Sequence, residues 1–197
     1  MNIAHAQHIP SADAAIAATQ KWLERAVISL NLCPFAKAVH VRKQVRYVVS
    51  EARDSDGLLV DLERELQSLL ATSVEETDTT LLIHPYVLAD FDDFMGFLDL
   101  VDLVVGIQGL RGKLQVASFH PDYCFADADP DDPGNYTNRS PYATLHLLRE
   151  QSLSRAVAAF PDAAEIYQRN IATLERIGLD GWKTLAVDAQ SQTKDAS

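Results

Sequence analysis

The chain has 197 residues, 47% of them hydrophobic and 23% charged, enough to build one globular core of ordinary composition. Its formal net charge of −11 repels phosphate backbones and anionic membranes, which argues against nucleic acid and lipid surfaces as general partners. The longest uncharged apolar run, residues 26–36, is too short to span a bilayer, and the first ten residues lack the basic and apolar regions of a secretion signal. With two cysteines, Cys33 and Cys124, no disulfide framework is expected, and the compartment reads as cytoplasmic.

In chain order, residues 1–10 read as a flexible N-terminus, 11–183 as a single domain and 184–197 as a flexible tail. Ser11 is placed to cap a helix reaching about Leu30, with Ile16, Leu23, Val27 and Leu30 on one face. Val45–Ser50 reads as a strand, and Leu58, Leu62, Leu66 and Leu69 mark an amphipathic helix. "TLLIHP" predicts a second strand, Asp90 to about Gln108 a helix, and "LQVASFHP" a third strand. Helices are then expected over about 141–159 and 163–177, the last closed by Gly178. Helices alternating with strands predict an α/β fold: three layers around a small, mainly parallel sheet, with extra helices at both ends. A ferredoxin-like α+β arrangement is the alternative.

Two strands end in His-Pro, at His84-Pro85 and His120-Pro121. Proline stops the ladder and leaves each histidine at the carboxyl edge of the sheet, where open parallel sheets bind ligands. There a histidine serves as acid or base, and Asp122 is placed to orient His120. In the plainer alternative each ring caps loop backbone.

"NYTNRSPYATLHLLRE" reads as a loop followed by a helix, with Ser140 as N-cap and Pro141 in the first turn. Helical spacing puts Tyr142, His146 and Arg149 in one stripe, with leucines around the remaining sides. Asn138 and Arg139 then lie at a helix N-terminus, a setting that favours phosphate or carboxylate. The alternative pairs Arg139 with an aspartate of the acidic loop. That loop, "FADADPDDPGN", resembles a calcium loop but has Asp132 where glycine is needed and Asn138 where the bidentate glutamate belongs. Cys33, before Pro34, is placed as the N-cap of a short helix, where a thiol is activated; a buried apolar role is the alternative.

Four segments together resemble a bacterial family known as domain of unknown function 1415: Asn31–Ala36, Phe119–Tyr123, Asn138–Tyr142 and His146–Glu150. The resemblance covers about residues 15–180 and departs from the family pattern at Cys124 and Ala143. It implies that these segments are a family signature and implies no particular reaction.

The expected function is an enzyme acting on a small anionic metabolite, a hydrolase or transferase without a cofactor. His120, Asp122 and His146 would share the acid–base work. Asn138, Arg139, Ser140, Tyr142, Arg149, His84 and Cys33 would hold the ligand. Two alternatives stand beside it: a non-catalytic small-ligand or protein-binding module, and metal-assisted hydrolysis using His84, His120, Asp122, His146 and Glu150.

Overall fold

The structure, a computed structural model, describes residues 10–159 and 165–189. The expected loose ends at 1–9 and 190–197 and the expected helix start at 163 lie outside those residues. Among the described residues, no helix is long and apolar enough to cross a membrane.

The architecture is a four-stranded mixed sheet with helices on both faces. Strands β1 (Val45–Val49), β2 (Thr79–Ile83) and β3 (Leu114–Phe119) run in one direction, and β4 (Thr144–Arg149) runs against them. The spatial order is β1-β2-β4-β3, so β4 is wedged between β2 and β3. The expectation of a mainly parallel sheet is therefore corrected: one ladder is parallel and two are antiparallel. The cause is one segment. Residues 144–149, expected as helix, form the strand that fills the gap left by the β2-to-β3 crossover. The β2–helix–β3 unit split by β4 has the local pattern of a ferredoxin-like sheet, whereas β1 and β2 are joined as an ordinary parallel crossover.

Period-two alternation divides the side chains between the two faces. Val48, Leu82, Leu145, Leu147, Leu114 and Val116 face α3 (Ser55–Ala71) and α4 (Phe91–Ile107), whose Leu58, Leu62, Leu66, Phe94, Phe97 and Val101 complete that core. Each fully buried leucine contributes about 1.5–3 kcal/mol. Asp54 caps α3 through the Gly57 amide, and Asp90 caps α4 through the Asp92 and Asp93 amides.

The opposite face packs Val45, Tyr47 and Phe119 against α1 (Ala12–Trp22) and α6 (Ile166–Thr184), through Trp22, Leu174 and Trp182. Ser11 caps α1 as expected, accepting from the Ala14 amide. Beyond Trp22 the helix continues as a π-helix, Leu23–Ile28. Gly178 takes φ 61°, the left-handed conformation expected of a helix-ending glycine, and a further helical stretch then follows to Thr184. Two short helices remain, α2 (Ala36–Val41) and α5 (Glu150–Ala158).

Candidate functional site

His84 and His120 lie at the same carboxyl edge of the sheet, each one residue beyond its strand, as the two His-Pro endings predicted. They flank Phe94 at ring-centroid distances of 5.6 and 5.1 Å. His84 donates from Nδ1 to the Val87 carbonyl at 3.2 Å. His120 accepts the Asp122 amide at Nδ1 (3.1 Å) and donates from Nε2 to the Leu88 carbonyl at 3.3 Å. Both residues are 1% exposed, so the loop-capping alternative describes their geometry. Asp122 engages the ring through its backbone amide, and its carboxylate acts on His120 only through its field. Burial lowers both histidine pKa values, that of His84 to about 4.

No helix starts at Ser140. A 3-10 helix (Pro133–Thr137) ends at Asn138, and the chain then enters β4. The Ser140 hydroxyl donates to the Tyr142 carbonyl at 2.7 Å, a local turn that replaces the expected cap. Arg139 donates to the Tyr123 carbonyl at 3.0 Å and the Pro130 carbonyl at 2.9 Å, with its guanidinium 4.4 Å from the Tyr136 ring centre. Asn138 donates to the Ser118 carbonyl. These residues stitch down the connection between β3 and β4, so the expected anion clamp at a helix N-terminus is absent. Within that connection the acidic loop folds around Asn135, which is fully buried and holds Phe125, Asp129 and Pro130 by backbone contacts.

The stripe of Tyr142, His146 and Arg149 is also reorganised. On a strand, residues 142 and 146 share a face and residue 149 takes the other. Tyr142 is half-buried, and its phenol is raised first by burial and then by Tyr86. Arg149 donates to the carbonyls of Leu69 (2.5 Å), Thr72 (2.6 Å) and Thr77 (3.2 Å), closing the C-terminal end of α3. Arg149→Ala is therefore expected to lower stability by about 2–3 kcal/mol, measured by denaturant unfolding, although the side chain also borders the cavity described below. A ligand lost at unchanged stability would contradict this structural role.

His146 sits mid-strand in a cross-strand row with Tyr47, Leu81 and Ala117. That row faces away from His84 and His120, so the expected meeting of His146 with His120 or Asp122 does not occur. The ring instead lines a cavity of about 860 Å³ between the sheet, the π-helical turn, α2 and α5. Trp22, Leu23, Val27, Leu81 and Phe119 form its apolar wall, and Cys33 borders the same space. The π-helix matters here because its wider turn re-aims side chains, and Leu23 and Val27 both come from it.

The hydrogen bonds of Thr79 fix the tautomer of His146. The Thr79 hydroxyl lies 2.6 Å from the Leu147 carbonyl and 2.7 Å from His146 Nε2. A carbonyl cannot donate, so the single hydroxyl proton goes to Leu147 and Nε2 must carry its own hydrogen. Nδ1 keeps its lone pair. Burial holds the imidazole neutral, with its pKa pushed down to about 4.

Cys33 precedes α2 and receives backbone hydrogen bonds from Phe35 and Ala36, which lower its pKa; burial outweighs them and raises it. The raised pKa speaks for the apolar reading of Cys33 and against the activated thiol. Among the described residues no group of three or more His, Cys, Asp or Glu side chains could hold a metal ion. Glu150, weighed as a chelating partner of His146, accepts the Gly112 amide at 3.0 Å.

At the mouth of the cavity stand Arg42 and Arg155, with Gln44, Glu75, Asp78 and Ser152. The sequence reading missed Thr79, Trp22, Arg42 and Arg155. A threonine opening a strand opposite a histidine was the one available signal, and it acquires meaning only when residues 144–149 are read as strand.

A family model described as "Protein of unknown function (DUF1415)" matches residues 14–184. No curated protein and no solved structure matches the chain.

Proposed function

We propose, for a chain that belongs to the DUF1415 family, an enzyme that acts on a small organic anion in this cavity, with His146 accepting a proton from the substrate. The observation that supports this reading most is the neutral His146 ring, with Nε2–H directed to Thr79 and the ring lining a largely apolar cavity. In the empty cavity a pKa of about 4 makes His146 a weak base. An anionic group held at the cavity mouth raises that pKa through its field, so part of the base strength arrives with the substrate. A neutral ligand brings no such gain. The anion-binding part of the function thus moves from the Asn138–Ser140 turn to the cavity.

A second reading, a binding module without turnover, draws support from one observation. Burial keeps two titratable side chains of the cavity lining, His146 and Cys33, uncharged. One experiment serves both readings. Wild type incubated with a mixture of small carboxylic and phosphorylated acids, read by mass spectrometry, is expected to convert a component. Conversion should vanish in His146→Gln and in Ala117→Leu, whose larger side chain fills the floor beside His146. Retention of a component without conversion supports the binding module. Undiminished conversion by both variants places the chemistry outside the cavity.

A further inference from the structure

We propose that the ligand of this cavity is a single-headed amphiphile: an anionic head held at the mouth by Arg42 and Arg155, and a hydrocarbon body lying along the apolar wall. The inference rests on the cavity being the site, as argued above, and adds the chemical class of what enters it.

The interior is unsuited to charge of either sign. Its wall is Trp22, Leu23, Val27, Leu81 and Phe119, and the polar groups among them, His146 and Cys33, are uncharged. A charged group pushed inside would lose its hydration without an opposite charge to replace it. A hydrocarbon body meets no such penalty, and a volume of about 860 Å³ lies within the range of cavities that enclose small organic ligands.

The mouth departs from the acidic surface around it, since Arg42 and Arg155 there balance Glu75 and Asp78. On a chain of net charge −11, three arginines line this cavity: Arg42 and Arg155 are exposed at its rim, and Arg149 is bonded to the Leu69, Thr72 and Thr77 carbonyls. Arg42 donates through Nε to the Gln44 side-chain oxygen at 2.6 Å, and Arg155 donates through one terminal nitrogen to the Ser152 hydroxyl at 3.3 Å. Each guanidinium has five N–H donors, so both retain donors for an anion. The carboxylates facing them are Glu75, which is exposed, and Asp78, which accepts the Ser152 hydroxyl at 2.5 Å. Gln44 does not compete for the head, because its amide nitrogen is engaged by the Val74 and Glu75 carbonyls. Head and body are thus separated along the strands: the guanidinium groups lie near the start of β1, and His146 lies deeper along the floor.

Trp22 lines the cavity and reports occupancy directly, whereas Trp182 packs on Tyr136 elsewhere. The test titrates the full chain with decanoate, 1-decanol and decyltrimethylammonium, following tryptophan emission in a Trp182→Phe background. Decanoate is expected to bind about tenfold more tightly than decanol, and the ammonium compound to leave the emission unchanged. Arg42→Gln and Arg155→Gln should each weaken decanoate by about three- to tenfold and leave decanol unaffected. Equal affinities for decanoate and decanol, or arginine variants without effect, would overturn the head-group assignment while decanol binding still upholds the cavity as the site. Silence from all three compounds, with Ala117→Leu matching wild type, would overturn both.

Discussion

Stability is expected to fall steeply between pH 6.5 and pH 4, by about 3 kcal/mol for each of His84 and His146. Both rings are neutral in the folded state, with pKa values near 4, and return to about 6.5 when the chain unfolds. Between those values the unfolded chain binds more protons than the folded one, so acid favours unfolding. Above pH 6.5 the contribution is complete; below pH 4 it is gone. By pH 5, before most carboxylates titrate, each histidine should already have lost about 2 kcal/mol. For a protein of this length the two together correspond to a melting temperature lower by roughly 10–15 °C. Thermal unfolding followed by circular dichroism at pH 7, 6 and 5 measures it. His146→Gln should flatten the profile by half, and a wild-type melting temperature level from pH 7 to pH 5 would refute the account.

Phe94→Ala is expected to do two things at once. Removing a fully buried phenylalanine leaves a void costing about 3–5 kcal/mol. This ring also packs against both His84 and His120, so its loss brings space and water to both imidazoles. Their pKa values should move back toward the ordinary value, and the pH dependence of stability should become shallower. Denaturant unfolding across the same pH range reads both effects. A variant that loses stability but keeps the full wild-type pH slope would show that burial by Phe94 is not what holds His84 neutral.

The readable parts of this fold were the amphipathic helices and the short strands bounded by turn residues. The helices α3 and α4 display an apolar stripe against a polar one, and β1 to β3 are compact apolar segments ending at turn residues. β4 defeated the same method because it is apolar on both faces and passes directly into α5 without a turn residue. Leu145 and Leu147 serve one core while His146 and Leu148 face the other side, so the alternation is filled in on both faces. A run of leucines with high helix propensity then reads as helix, and Ser140-Pro141 supplies a convincing false cap.

That single error displaced the site. Treated as helical, Tyr142, His146 and Arg149 share a stripe; on the strand, Arg149 crosses to the α3 side. His146 was nonetheless recognisable as a polar residue that packing would force to find a partner, and Thr79 is that partner. Arg42 and Arg155 carried no local signal, since an arginine at a cavity mouth and one on a plain surface look alike in sequence.

The placement of β4 also bears on how the chain is made. Synthesis proceeds from the N-terminus, so β1, α3, β2, α4 and β3 all leave the ribosome before the strand that belongs at their centre. Until residue 149 emerges, β2 and β3 each present an unpaired inner edge, and the connection of residues 120–143 must hold β3 at the width of one missing strand. Arg139 is bonded within that connection and Asn138 back to β3. The last strand thus acts as a keystone: the nascent sheet is an open slot, and the residue that later floors the cavity arrives in the piece that closes it.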